Sequence, residues 1–327
     1  MQILLTGGAG YIGSHIAVEL IAAGYSVVIA DDFSNSSRDV IEKIGIIAGA
    51  TPKLCEIDLK DAEGLDKLMS ENEFGAVIHL AGYKAVGESV SKPLFYYRNN
   101  IDCALTLLES MERNGINKLI FSSSATIYGS QEQLPYTEDM EMGITTNPYG
   151  ATKQMIERII VDFAATGRLS PVILRYFNPV GANESGLLNE KPSGIPNNLM
   201  PYIAQVAEGK LKELSVFGND YPTKDGTGVR DYIHVIDLAK GHVAAIDYTL
   251  APGETEVFNL GTGVGYSVLE MLGAFERVNG VTIPYKIAPR RSGDIAECYA
   301  DVSKAARLLG WKATLGLDDM CRVRQAK

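Results

Sequence analysis

The chain opens Gln2-Ile3-Leu4-Leu5-Thr6-Gly7-Gly8-Ala9-Gly10-Tyr11-Ile12-Gly13, a short apolar run that breaks into glycines and resumes as a helical pattern. Gly7 permits a tight turn, Gly10 lets the backbone approach a pyrophosphate, and Gly13 allows a helix to pack closely on a strand. The free N–H groups at the start of that helix then face the phosphates. Strand, glycine loop and helix in this order read as a dinucleotide site. Asp31 ends the second strand, where a carboxylate accepts hydrogen bonds from an adenosine ribose and repels a 2′-phosphate. The expected cofactor is therefore NAD rather than NADP. Asp58, after the third strand, reads either as an adenine contact or as a helix N-cap.

The alternation continues outward from this unit. Strands are expected at 2–6, 26–30, 53–56, 76–80, 118–122 and 171–175, and helices at 11–23, 40–47, 65–71, 94–113 and 149–166. Six strands with right-handed helical crossovers make an α/β fold, a doubly wound parallel (Rossmann) sheet. After Phe177 the regularity fails, and 178–228 is rich in Gly, Pro and Asn, as expected of substrate-facing loops laid over the strand ends. The expected division is an NAD-binding domain over 1–177 and a smaller C-terminal α/β region over 178–327, with segments near 230–262 packing back on the first domain.

Composition excludes several function classes. At 46% hydrophobic and 21% charged residues the chain is neither disordered nor collagen-like. A net charge of −10 argues against nucleic acid or an anionic membrane as partner, since both reward a basic surface. An anionic substrate must then be held by a few local cations. Cys55, Cys103, Cys298 and Cys321 form no CxxC pair, and His15, His79, His234 and His242 lack ligand spacing, so neither a disulfide scaffold nor a metal site is expected. No signal peptide or membrane span is read from the sequence, and a cytoplasmic location is expected.

Tyr149 and Lys153 are four residues apart at the start of an expected helix, which puts both on one face. A free tyrosine is too weakly acidic to serve as a base at neutral pH; a neighbouring ammonium is expected to stabilise the phenolate. Ser122-Ser123-Ser124 ends the fifth strand, where the last serine could share a substrate hydroxyl with Tyr149.

The glycine loop, the strand-end serine and Tyr-x-x-x-Lys together resemble the extended short-chain dehydrogenases. Longer segments, namely Phe121–Gly129, Leu174–Gly181, Gly194–Tyr202 and Asp225–Val235, are similar to the UDP-glucose 4-epimerase family, and the resemblance runs over almost the whole chain. It implies reversible inversion at C4 of a UDP-hexose through a 4-keto sugar, with Tyr149 as base, Lys153 holding the phenolate and the nicotinamide ribose, and Ser124 sharing the proton. For NAD it implies Tyr11 and Ile12 at the pyrophosphate; Asp31, Asp32, Phe33, Ser34, Asn35 and Ser36 at the ribose; Asp58 and Leu59 at the adenine; and further contacts from Leu80, Ala81, Gly82, Tyr83, Lys84, Asn99 and Phe177. For the sugar nucleotide it implies contacts from Ser124, Tyr149, Asn178, Asn198, Leu199 and Asp294, with Val216 and Phe217 at the uracil and Arg230 and Arg291 at the diphosphate. Cys298 aligns where the family varies between a bulky tyrosine and a small residue, which implies room for the N-acetyl sugars.

Two rivals share this framework. A nucleotide-sugar 4,6-dehydratase needs an acid and a base directly after the strand-end serine, where this chain has Ala125 and Thr126. A silent NAD-binding regulator commonly lacks the Tyr and Lys that this chain carries. The resemblance also implies a homodimer through the long helices that begin near Leu94 and Tyr149. It departs at the end, where Asp318-Asp319-Met320 gives way to Cys321-Arg322-Val323 and a shortened or altered last helix is expected.

Overall fold

Near-continuous apolar runs such as Ile3-Leu4-Leu5 and Ala76-Val77-Ile78 satisfy their burial only as central strands covered on both faces. The computed structural model describes residues 1–327 except 132, 191–193, 195, 249–250, 292 and 325–327. Ile195, within the Gly194–Tyr202 motif, and Ser292, between Arg291 and Gly293, thus lie outside the described residues.

Each expected strand and helix of the first half is present. The strands are β1 (Gln2–Thr6), β2 (Ser26–Asp31), β3 (Lys53–Glu56), β4 (Phe74–His79), β5 (Lys118–Ser124) and β6 (Ser170–Tyr176). Between them run α1 (Tyr11–Ala22), α2 (Asp39–Ala48), α3 (Ala62–Ser70), α4 (Val86–Ser91), α5 (Pro93–Arg113) and α6 (Pro148–Ala164). Helix α3 starts three residues earlier than periodicity suggests, because the Asp61 side chain accepts the Gly64 N–H at 3.1 Å. Asp61, not Asp58, is the cap.

Beyond Tyr176 the chain forms β7 (Asn178–Val180), α7 (Leu199–Ala207), β8 (Leu214–Phe217), β9 (Val229–His234), α8 (Val235–Asp247), β10 (Glu256–Leu260), β11 (Gly265–Ser267), α9 (Val268–Asn279), β12 (Tyr285–Ala288), β13 (Glu297–Cys298), α10 (Ser303–Leu308) and α11 (Leu317–Cys321). The parallel sheet has seven strands, in the order β10-β6-β5-β4-β1-β2-β3. The seventh, β10, docks beside β6, and α8 packs on α1, where Leu238, Ala245 and Ile246 share a core with Ile16 and Leu20. A separate core, with Ile203, Val216, Met271 and Phe275, sits under β9 and α9.

The stretch 178–228 is less irregular than expected, since it contains β7, α7 and β8. Their short lengths and distant partners hide them: β7 pairs with β9, and β8 with β12. The last helix, α11, has five residues and buries Met320 and Cys321. Strand order reverses between β1 and β4, and a crevice opens there at the strand ends.

Candidate active site

The glycine loop joins β1 to α1 under tight steric control. Gly7 has φ +70°, and a Cβ on it would lie 2.8 Å from the Ala81 amide nitrogen; one on Gly13 would lie 2.3 Å from the Gly7 carbonyl oxygen. Helix α1 starts with Gly10 in the cap position, without a side-chain cap and without an acidic residue in its first turn. Its N-terminal N–H groups at Tyr11 and Ile12 are therefore open to an anion.

Asp31 lies at the end of β2, buried, and accepts hydrogen bonds from Ala9 N (2.9 Å), Phe33 N (3.0 Å) and Ser36 Oγ (2.8 Å). A carboxylate offers about four acceptor sites, so these donors orient it and leave capacity for a hydroxyl. Asp32 holds Ser34 through its backbone N–H and hydroxyl, and Asn35 is exposed beside it. Lys60 gathers the adenine-side candidates, pairing with Asp58 at 3.0 Å and donating to Asn99 Oδ1 at 2.8 Å, with Leu59 buried between them. The run Leu80 to Lys84 follows β4: the Tyr83 amide donates to Asn100 Oδ1, a Cβ on Gly82 would press on the same side chain, and Lys84 pairs with Glu190 at 3.1 Å. An open helix N-terminus, a backbone that comes close because of glycine, and a buried acid at the second strand end fit a dinucleotide such as NAD.

Helix α6 is set by Asn147, whose Oδ1 accepts the Gly150 N–H at 2.9 Å, and by Pro148 in the first turn. This places Tyr149 and Lys153 under the end of β5. Lys153 Nζ donates to the Ser122 carbonyl at 2.6 Å and lies 5.9 Å from the centre of the Tyr149 ring. Ser124 Oγ accepts from Thr126 N (3.2 Å) and Thr126 Oγ1 (3.0 Å), which leaves its own proton for the Tyr149 oxygen. Burial raises the Tyr149 phenol above its ordinary value, and the Ser124 hydroxyl pulls it down. The expected lowering by the Lys153 ammonium is not found: burial dominates. The same burial drives Lys153 down to about 8, with Glu157 opposing it.

Ser124, Tyr149, Phe177, Asn178, Asn198, Leu199, Phe217, Arg230, Arg291 and Asp294 all line one cleft of about 300 Å³, into which Ile12 and Lys84 also project. Residues from both halves of the chain thus converge on one space. Arg230 is braced by the Val229 carbonyl at 2.7 Å; Arg291 lies over the Phe217 ring and is paired to Asp294 at 2.8 Å. Asp294 is in this arrangement the partner of Arg291.

Val216 does not face the cleft. It is 1% exposed and belongs to the core under α9, because side chains alternate along β8 and Ser215 and Phe217 take the cleft side. Cys298 is likewise buried, packed with Ile127, Tyr128 and Phe177 behind the cleft wall. Asn197, Ser215 and Tyr221 line the cleft without having been singled out in the sequence. Only Asn197 had a signal, its place beside Asn198. Among the described residues no group of His, Cys, Asp or Glu is arranged to hold a metal, and no helix is long and apolar enough to cross a membrane.

Residues 4–323 match the family described as GDP-mannose 4,6 dehydratase. The chain is 58% identical over 322 residues to UDP-glucose 4-epimerase of Bacillus subtilis, covering 98% of this chain and 95% of that one. The chain belongs to the UDP-glucose 4-epimerase family. The Haemophilus influenzae member of this epimerase family is 56% identical over 321 residues, again 98% of this chain and 95% of the other. A crystal structure of UDP-glucose 4-epimerase from Bifidobacterium longum, in complex with NAD+ and UDP, superposes with a TM-score of 0.95 at 53% identity, covering 98% of this chain and 96% of that one. Although the broader family carries a dehydratase's description, the positions after Ser124 remain Ala125 and Thr126, which offer no acid and base for elimination.

Because Lys153 titrates near 8 rather than in the ordinary lysine range, its ammonium is lost as pH rises through about 8. Turnover that depends on this cation should fall over the same interval. A kcat–pH profile still flat where a free lysine titrates excludes the dependence.

Proposed function

We propose that the chain interconverts UDP-glucose and UDP-galactose by inversion at C4, using NAD that it keeps. The observation that carries this is the junction of Ser124, Tyr149 and the Arg230 and Arg291 guanidinium groups in one cleft beside an open helix N-terminus. NAD would be held by Tyr11 and Ile12 at its pyrophosphate, by Asp31 through Ser36 at its ribose and by Lys153 near its nicotinamide; when bound it supplies hydride acceptance and return at C4 and a cationic ring that favours the Tyr149 phenolate.

In this reading Tyr149 takes the proton of the C4 hydroxyl as C4 becomes a ketone, and Ser124 shares that hydrogen bond. Arg230 and Arg291 grip the diphosphate; guanidinium forks suit it, and in an acidic protein such local donors must supply the attraction. The sugar is then free to turn over about its link to the diphosphate, and Tyr149 returns the proton with the opposite face presented. UDP as the fixed handle spends binding energy away from the reacting carbon. The proposed division of labour follows the chain, with 1–177 for the cofactor and 178–327 for the nucleotide sugar, apart from the 230–262 segment.

Exposed apolar side chains on the outer faces of α5 and α6, Leu105, Met155 and Val161, support pairing with a second copy. Sedimentation at twice the chain mass is expected; a monomer under assay conditions removes the dimer.

Tyr149→Phe keeps the ring and deletes the base. Turnover should drop by about 10² to 10⁴ with UDP affinity unchanged, and near-normal turnover would take Tyr149 out of the role.

The substrate range is proposed to include UDP-N-acetylglucosamine and UDP-N-acetylgalactosamine. Cys298 pairs in register with Arg230 and packs on Phe177, both of which line the cleft, so a larger side chain would press that wall inward. Overfilling costs about 1 to 3 kcal/mol. Cys298→Tyr should impair the acetylated pair selectively; equal losses on both pairs of sugars, measured side by side, would sink this assignment.

A further inference from the structure

One turn along α6 from Lys153 stands Glu157, 1% exposed. Arg175 on β6 donates to both of its oxygens, from Nη2 at 2.9 Å and from Nε at 3.3 Å. Ser123 Oγ donates to the same carboxylate. Ser123 sits between Ser122, whose carbonyl receives Lys153, and Ser124, which faces Tyr149. Arg175 reaches further, donating to the Tyr128 hydroxyl at 3.0 Å and to the Glu138 carbonyl at 3.1 Å. Neither Glu157 nor Arg175 lines the cleft.

A buried ion pair is a poor device for stability alone, because well-packed apolar residues often replace one at no loss. Its location here answers two needs of the site. Lys153 and Glu157 both tie α6 to the end of β5, one through a carbonyl and the other through a hydroxyl. The pair also sets local charge. Lys153 is faced by Tyr149 and Glu157 from its own helix, by His79 from β4 and by the Phe121 ring of β5; from β6, Arg175 pairs with Glu157 and Tyr176 couples to Tyr149. His79 is held neutral, driven down to about 3 by burial and then by Lys153 itself. Among the described residues Glu157 is thus the anion that offsets the buried ammonium.

We propose that Glu157 is a positioning residue for the reaction at C4: through Ser123 and Arg175 it locks the end of β5 against α6, so that Ser124, Tyr149 and Lys153 keep their mutual spacing, and it balances the charge of the buried amine. This rests on Tyr149 acting as the base, as proposed above.

The test uses the full-length enzyme with its NAD and compares Glu157→Gln, Glu157→Asp, the double variant Glu157→Gln/Arg175→Gln, and Tyr149→Phe as reference. Glu157→Gln should lose about 10- to 10²-fold in kcat, the scale of a small misplacement of reacting groups, with KM and UDP affinity unchanged. Its alkaline limb should move to lower pH by about one pH unit, since a nearby anion that favoured the ammonium is gone. Glu157→Asp, which keeps the charge on a shorter arm, should show reduced kcat with the limb in its original place. The double variant leaves no unpaired buried guanidinium and should remain impaired in kcat; it carries the test if Glu157→Gln fails to fold. An unmoved limb in Glu157→Gln, recovery of full kcat in the double variant, or a loss confined to KM would overturn the proposal. Should Tyr149→Phe turn over like the unmodified enzyme, the base assignment fails on its own, whatever the Glu157 variants do.

Discussion

The close approach of backbone to backbone at the β1–α1 turn is the constraint on which the rest depends. A Cβ at Gly7 would strike the start of the run after β4, and one at Gly13 would strike Gly7 itself. With both positions bare, α1 is drawn onto the sheet at the point where strand order reverses, and its uncapped N-terminus opens into the crevice. Asp31 is anchored by the same loop, through Ala9, so the acid proposed to read the ribose is held by the turn proposed to take the phosphates. The sheet and the cofactor groove are in this sense one steric solution.

Burial, more than pairwise attraction, governs the titration of the site. Tyr149 is raised, Lys153 lowered and His79 held neutral, each with desolvation as the largest cause. An ammonium alone, 5.9 Å from the ring centre, does not make a phenolate under a dry sheet edge. The Ser124 hydroxyl works in that direction from the chain's side, and in the proposed reaction a cationic ring brought by NAD would complete the balance. In that reading Tyr149 becomes competent as a base when the cofactor is in place.

The C-terminal half contributes walls rather than a separate machine. Strand β9 carries Arg230 into the cleft and Asp231 out of it; the Asp231 carboxylate accepts from Thr262, Gly263 and Ala300. These bonds tie the turn after β10 and the segment that follows β13 to the strand that carries Arg230 into the cleft. The buried Arg175–Glu157 pair does the corresponding work on the β5–α6 side, at 2.9 Å. Two buried carboxylates therefore stiffen the two flanks of one cleft.

Local pattern determined the first half by itself. The period-two and helical runs, the glycine spacing and Tyr149 four residues before Lys153 name their elements and faces because covalent geometry and short-range sterics set them. Long motifs did the same for Asn178, Asn198, Arg230 and Arg291. Tertiary structure decided what depends on partners distant along the chain. Only pairing with β6 makes Glu256–Leu260 the seventh strand, and only the alternation of β8 against its own core turns Val216 inward and Phe217 outward. The direction of the Tyr149 shift, the engagement of Asp294 by Arg291 and the placing of Cys298 behind the wall belong to the same class. Each is a matter of which groups exclude water from which, and that is set by the packing of several elements at once.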